Sequence, residues 1–191
     1  MKRLTTALIS VVLLLGFSNL AAAYKIADDA IGGDCTQIGY WDTATKTCTL
    51  TTDIYVPEGA AISIDSDYVI LDGNGHRIYG NKWRSKGVIL TWGRTGVTVR
   101  NLVVENFYFG IRLEPFSTSN RIENSVVTGC LVGIYGYYSY GNQVLNNFVS
   151  SNYMGIIEVE GWYNFLTGNT VANNDYGIKL YVPWSRIVLT V

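Results

Sequence analysis

The segments Gly87-Val-Ile-Leu, Gly110-Ile-Arg-Leu, Gly133-Ile-Tyr, Gly155-Ile-Ile and Gly177-Ile-Lys-Leu open on glycines that recur after 23, 23, 22 and 22 residues. A fixed period of this size belongs to a solenoid, in which each coil buries its apolar residues against its neighbours. Between successive glycines lie about three strand-sized apolar patches separated by Asn, Gly and Ser, without helical periodicity. Two further columns keep the same step: Val99, Ile122, Val144 and Leu166, and Val104, Val127, Val149 and Val171. The chain therefore reads as all-β, a parallel β-helix over residues 53–191 with 22 or 23 residues per coil and about five to seven coils.

Asparagine fills the corners of this repeat. Asn120, Asn142 and Asn164 stand two residues before the first column, and Asn101, Asn124, Asn146, Asn147 and Asn169 stand two or three after it. Asn tolerates the left-handed backbone of a sharp corner, and its amide can bond to the Asn one coil above and below. These residues are assigned to structure.

Met1-Lys2-Arg3, the apolar run over residues 7–17 and the small residues Ala21-Ala22-Ala23 predict a signal peptide over residues 1–23. The mature chain would begin near Tyr24, without a membrane span, in a secreted or periplasmic location. Losing Lys2 and Arg3 moves the formal charge from -1 to -3, and the absence of a basic stripe argues against nucleic acid. An exported chain is permitted disulfides, so Cys35 and Cys48 are paired, locking an N-terminal cap over residues 24–52. Cys130 shares a corner column with Asn152 and Asn174 and reads as a small buried filler.

Asp53-Ile-Tyr-Val-Pro-Glu-Gly-Ala-Ala-Ile-Ser-Ile, then Tyr68-Val-Ile-Leu-Asp-Gly-Asn-Gly-His-Arg-Ile-Tyr-Gly80, together with the Gly-Ile-x-Leu and Asn-x-Ile-x-x-Asn units, resemble the exported right-handed parallel β-helix proteins. That superfamily includes NosD-like periplasmic proteins, pectate lyases and other carbohydrate-binding or sugar-cleaving domains. The resemblance runs from Cys35 to the C-terminus and implies the fold more than any activity, because the repeating residues build the coil. The copper associated with the NosD-like branch asks for clustered His, Cys or Met, whereas the mature chain has one His, His76, and one Met, Met154. No metal and no cofactor is expected.

On the strand after each glycine, alternation turns Ile111 and Leu113, Ile134 and Gly136, and Ile178 and Leu180 inward. Arg112, Glu114, Tyr135, Tyr137, Lys179 and Tyr181 then face out. The fourth unit resists this register because alternation from Ile156 would bury Glu158. A one-residue bulge that turns Ile157 and Val159 inward and exposes Glu158 with Glu160 is the expectation. Just beyond the strand, Trp92, Phe116, Tyr138, Trp162 and Trp184 read as one stripe of rings on the order of 20 Å long, with Tyr137, Tyr140 and Tyr163 nearby. Such rings suit sugar stacking, and equally can shield strand edges or dock a protein.

The expected function is binding of a polysaccharide or another cell-surface glycan through Arg112, Glu114, Tyr135, Tyr137, Tyr138, Trp162, Lys179, Tyr181 and Trp184. A polysaccharide lyase or glycoside hydrolase using Glu158, Glu160 and Arg112 is the alternative, and a structural or adhesive envelope solenoid is the other. Against catalysis stand the short corners and the lack of an acidic cluster recurring between coils. At the C-terminus Val188 falls 22 residues after Leu166, in the lumen column, and Arg186 falls at the place of Asn164. An incomplete last coil there predicts end-to-end homo-oligomers or a fragment of a longer β-helix.

Overall fold

A computed structural model describes residues 22–181 and 188–190. The segment expected to be a signal peptide lies outside these residues except for its last two positions, and Trp184 and Arg186 lie outside them altogether. The chain winds as a parallel β-helix of about six turns, each laying one strand on each of three sheets. The first sheet has seven strands and holds the glycine-led segments, such as Phe109–Leu113 and Met154–Val159. The second has eight, including Arg121–Glu123, and the third has six, including Val126–Thr128. Inward residues of all three meet in one lumen, where Ile111, Ile122, Val127, Ile134, Val144, Val149 and Ile156 are buried.

The repeat glycines are required by contact between coils. A Cβ on Gly110 would lie 2.6 Å from the carbonyl oxygen of Gly133, and one on Gly133 would lie 2.6 Å from that of Gly155. No side chain fits there without separating the coils.

Each corner follows one rule. A residue with positive φ turns the chain, and the next residue points inward; where the residue one coil on is Asn or Ser, its backbone N–H donates to that side chain. Leading into the second sheet, Gly96, Ser119 and Gly141 turn the chain ahead of Val97, Asn120 and Asn142. Leading into the third, Asn101, Asn124, Asn146 and Gly168 precede Leu102, Ser125, Asn147 and Asn169. At the return to the first sheet, Asn106, Gly129, Ser151 and Asn173 precede Phe107, Cys130, Asn152 and Asn174. The sequence reading grouped the asparagines together; the structure separates turning residues such as Asn124 and Asn146 from bonding residues such as Asn147. Asn142 shows the bonding pattern in full. Its Oδ1 accepts from the backbone N–H and the side-chain amide of Asn120 at 2.9 and 3.0 Å, and its Nδ2 donates to the Ser117 carbonyl and to Asn164 Oδ1, both at 3.2 Å. Such ladders satisfy buried polar groups that no water reaches.

At the N-terminal end Cys35 and Cys48 are bridged, tying the short helix Cys35–Ile38 to the strand Thr47–Leu50. This segment is continuous with the solenoid: Ala22–Ile26 pairs with Gly59–Ile64, and Thr47–Leu50 pairs with Ile70–Asp72. Cys130 is buried and free. In the last described coil the register corrects the sequence reading, since Leu189, rather than Val188, lies opposite Leu166. The final step is 23 residues, which puts Val188 opposite Phe165 on the outside, where it is exposed.

Asn142→Ala should lower unfolding free energy by about 1–3 kcal/mol, because it leaves the backbone N–H and one side-chain amide hydrogen of Asn120 unpaired in a buried corner. Asn124→Gly, at an exposed turning position, should change it by no more than about 0.5 kcal/mol. Chemical denaturation of both variants checks the distinction.

Candidate functional site

On the outer face of the first sheet alternation holds from the residue after each repeat glycine, while the residue before the glycine, such as Phe109, also faces out. Arg112 and Tyr135 are neighbours across adjacent strands, with Ile157 and Lys179 continuing the row. The Arg112 guanidinium lies over the rings of Phe109 at 4.8 Å and Tyr135 at 5.5 Å, and its Nη2 donates to Glu114 Oε2 at 2.9 Å. Tyr135 and Tyr137 stack with their planes 14° apart, and Tyr137 meets Tyr138 edge-on at 4.6 Å. A run of rings therefore leads from the sheet face onto the corner. Two coils beyond Tyr135, Lys179 Nζ sits 4.1 Å from the Tyr176 ring and 5.5 Å from that of Tyr181. Burial pushes the Tyr135 hydroxyl above its ordinary range and the Lys86 ammonium below its own, the Arg112 charge acting with burial on Lys86. Phe109 and Tyr176 escaped the sequence reading, although both stand immediately before a repeat glycine.

The corner between the first and second sheets is longer than the other two and turns twice. Its additional turn is made by Gly93, Phe116, Tyr138 and Glu160 in successive coils, all at positive φ, and Tyr68 and Tyr163 take left-handed conformations at the turn beside the second sheet. The single ring stripe expected from sequence is thus two. Phe116 and Tyr138 share one column, which Glu160 continues, while Trp162 bridges Tyr140 and belongs to the column of Thr95 and Thr118. Trp92 contacts Phe116 at 5.5 Å, and Tyr140 contacts Trp162 at 5.3 Å. A corner with two left-handed turns sends residues two positions apart in different directions. The rings themselves are open to solvent: Trp92 is 62 % exposed, Phe116 51 %, Tyr138 39 %, Trp162 45 % and Tyr163 61 %.

Glu158 overturns the expected bulge. Met154–Val159 keeps register with Val132–Tyr137 throughout, so Glu158 lies opposite Gly136 and points into the lumen at 1 % exposure. Gly136 makes this possible, since a Cβ there would sit 2.4 Å from Glu158 Oε2. Asn164 Nδ2 donates to that same oxygen at 2.9 Å and to the Ser139 carbonyl at 3.1 Å. In Asn120 and Asn142 the corresponding amide hydrogen goes to the next asparagine; the sequence has no asparagine 22 or 23 residues after Asn164, and its amide donates to Glu158. Burial pushes the carboxyl up to about 8, and the Asn164 amide draws it back only in part. Glu160 turns outward at the corner, so the acid and base named for an enzyme occupy opposite sides of the chain, with Arg112 two coils away.

Fold and surface together define a parallel β-helix with an aromatic and charged outer face. Residues 44–189 match the family described as periplasmic copper-binding protein (NosD), and the chain belongs to that family. No curated protein and no solved structure matches it.

The donor set does not fit the family's copper. The chain has a single His, and two of its three Cys are bridged. His76 sits at a corner with its Nδ1 3.3 Å from Asp53 Oδ1. Cys130 is buried at another, its thiol pushed up to about 12 by burial. Met154 lies on the outer face of the first sheet between Val132 and Tyr176. Soft ligands so placed cannot converge on one ion, and no group of three His, Cys, Asp or Glu gathers among the described residues.

Two outcomes follow for this site. After dialysis against cupric ion and then buffer, the purified protein should retain well under one equivalent of copper by elemental analysis. The folded protein holds the Glu158 proton over a range in which the unfolded chain has lost it. Stability should therefore fall as pH rises from about 4.5 to about 8, by at most about 1.4 kcal/mol per unit, and level off above. Denaturation across that range should show the slope in the native protein and a flatter profile in Glu158→Gln.

Proposed function

We propose that the protein is a non-catalytic, extracytoplasmic solenoid that binds a polysaccharide or cell-surface glycan along the first sheet and its adjoining corner. The disulfide and the periplasmic description of the family support the location. The observation that carries the binding assignment is where the rings stand. At the other two corners every turning residue is Asn, Gly or Ser, whereas this corner places Phe116, Tyr138, Glu160 and Tyr163 at positive φ. A left-handed conformation costs a residue with a Cβ about 1–2 kcal/mol, and asparagine or glycine would relieve it. With 39 to 61 % of their surface in solvent, Phe116, Tyr138 and Tyr163 reach only part of the burial such rings can gain, and small residues turn the chain at the other corners without them. Bulky residues held in sparsely populated backbone conformations concentrate at ligand sites.

The chemistry of the surface suits sugars. Ring faces of Phe116, Tyr138 and Trp162 offer stacking platforms, while Glu114 and the hydroxyls of Tyr135 and Tyr137 offer hydrogen bonds beside them. Arg112 and Lys179, each braced by two aromatic rings, add fixed positive charge to the same face.

A glycan array probed with the purified protein identifies the ligand. Against the best hit, Trp162→Ala and Tyr138→Gly should each weaken binding about tenfold or more. Tyr138→Gly should change the melting temperature little, because relief of the strained turn offsets loss of the edge-on contact with Tyr137. A marked fall in melting temperature on either substitution would make these rings packing residues, and an array without any hit would remove the assignment.

A further inference from the structure

We infer that Glu158 is a positioning residue for the ring-bearing corner: its carboxyl, accepting from Asn164 Nδ2, closes the base of residues 159–163 while it is neutral, and the cost of burying its charge opens that corner to water once it ionises. The consequence for ligand rests on the glycan-binding reading above; the coupling itself does not.

Geometry is the first ground. The Glu158–Asn164 bond joins two residues six apart in sequence, and the segment it closes carries Glu160, Trp162 and Tyr163. The tie is fitted closely. A Cβ on Gly161 would stand 2.7 Å from Asn164 Nδ2 and 2.9 Å from Glu158 Oε2, so the corner backbone rests directly on the bonded pair. Trp162 N–H donates to the same Ser139 carbonyl that Asn164 Nδ2 uses. Displacement of the Asn164 amide therefore disturbs an acceptor on which Trp162 also depends.

The second ground is isolation. Glu158 is the only acidic or basic side chain fully buried among the described residues. Gly136 faces it from one neighbouring strand and Leu180 from the other, and Asn164, Gly161 and the Ser139 carbonyl face it from the corner. Glu160 lies outward at that corner, and Tyr135, on the outer face of the sheet, senses the Glu158 charge. Among the described residues no cation sets its ionisation. The Ser139 hydroxyl is itself buried without a partner. Among the described residues an ionised carboxylate here would have one amide donor and no counter-charge, so it is stabilised by admitting water, and water enters when the corner lifts. A carboxyl that is protonated when the corner is closed and ionised when it is open makes opening about tenfold more favourable per pH unit between its two pKa values.

Hydrogen–deuterium exchange of the purified protein tests this without any ligand, read at the amides of Glu160 and Trp162, both hydrogen-bonded in the closed corner. After correction for intrinsic exchange, their opening should rise about tenfold or more between pH 6 and 9, relative to the corresponding corner one coil earlier. Glu158→Gln, which keeps the acceptor but cannot ionise, should show no such rise. Glu158→Met, which keeps the volume but offers no comparable acceptor, should exchange faster than the native protein already at pH 6. A native profile without the rise, the same rise in Glu158→Gln, or Glu158→Met matching the native protein at pH 6 would overturn the inference. A failed glycan array would leave these readings intact, and a flat exchange profile would leave the glycan reading intact.

Discussion

Every corner of this solenoid must reverse the chain while leaving no buried amide or carbonyl unpaired, and one device meets both demands. A left-handed residue turns the backbone, and the inward residue that follows bonds to its counterpart in the next coil. The amide of asparagine is suited to the second position because it donates and accepts at once, so one residue type can repeat indefinitely, as in Asn120, Asn142 and Asn164. The 22-residue step follows from this pairing. Register on all three sheets is held by the corners as much as by the lumen.

A ladder of this kind has to terminate, and the place where one does so is chemically unusual. Asn164 has no amide above it in the sequence, and the acceptor it would have found is provided from inside the lumen by Glu158. An acid in an apolar core is normally a liability. Here a glycine in the coil below makes room for it and the last amide of the ladder binds it, which links the interior to the corner bearing Trp162. The same corner differs from the other two in its turning residues, placing aromatic and acidic side chains where small ones turn the chain more cheaply. Interior and exterior departures thus coincide on one edge of the solenoid.

Much of the fold was legible in the sequence because the repeat states the same constraint several times: glycines at coil contacts, valines in the lumen and amides at the corners. The Cys35–Cys48 bridge was legible for a different reason, since both cysteines stand before the first full coil. Glu158 was not read correctly, because an unpaired buried carboxylate was assumed and a bulge was inferred to avoid it. The contrary signal was present. Gly136 occupies the preceding place in its inward row, between Leu113 and Glu158, and Asn164 lies at the end of an amide column. The ring stripe was misread because spacings of 24 and 22 residues were merged into one column; only backbone conformation separates Tyr138 from Trp162. Family membership added the fold and a periplasmic description, while the positions of His76, Cys130 and Met154 set this chain apart from the copper in the family's name.

The central claim is that the strained corner holds its rings for a ligand. Residue-resolved NMR during titration with envelope polysaccharide fragments tests it most directly. Ring and backbone resonances of Phe116, Tyr138 and Trp162 should shift together and saturably, with Arg112 and Tyr135 following and the exposed turn at Asn124 unchanged. Shifts confined to the other two corners, or none at saturating concentrations of every fragment, would contradict the account.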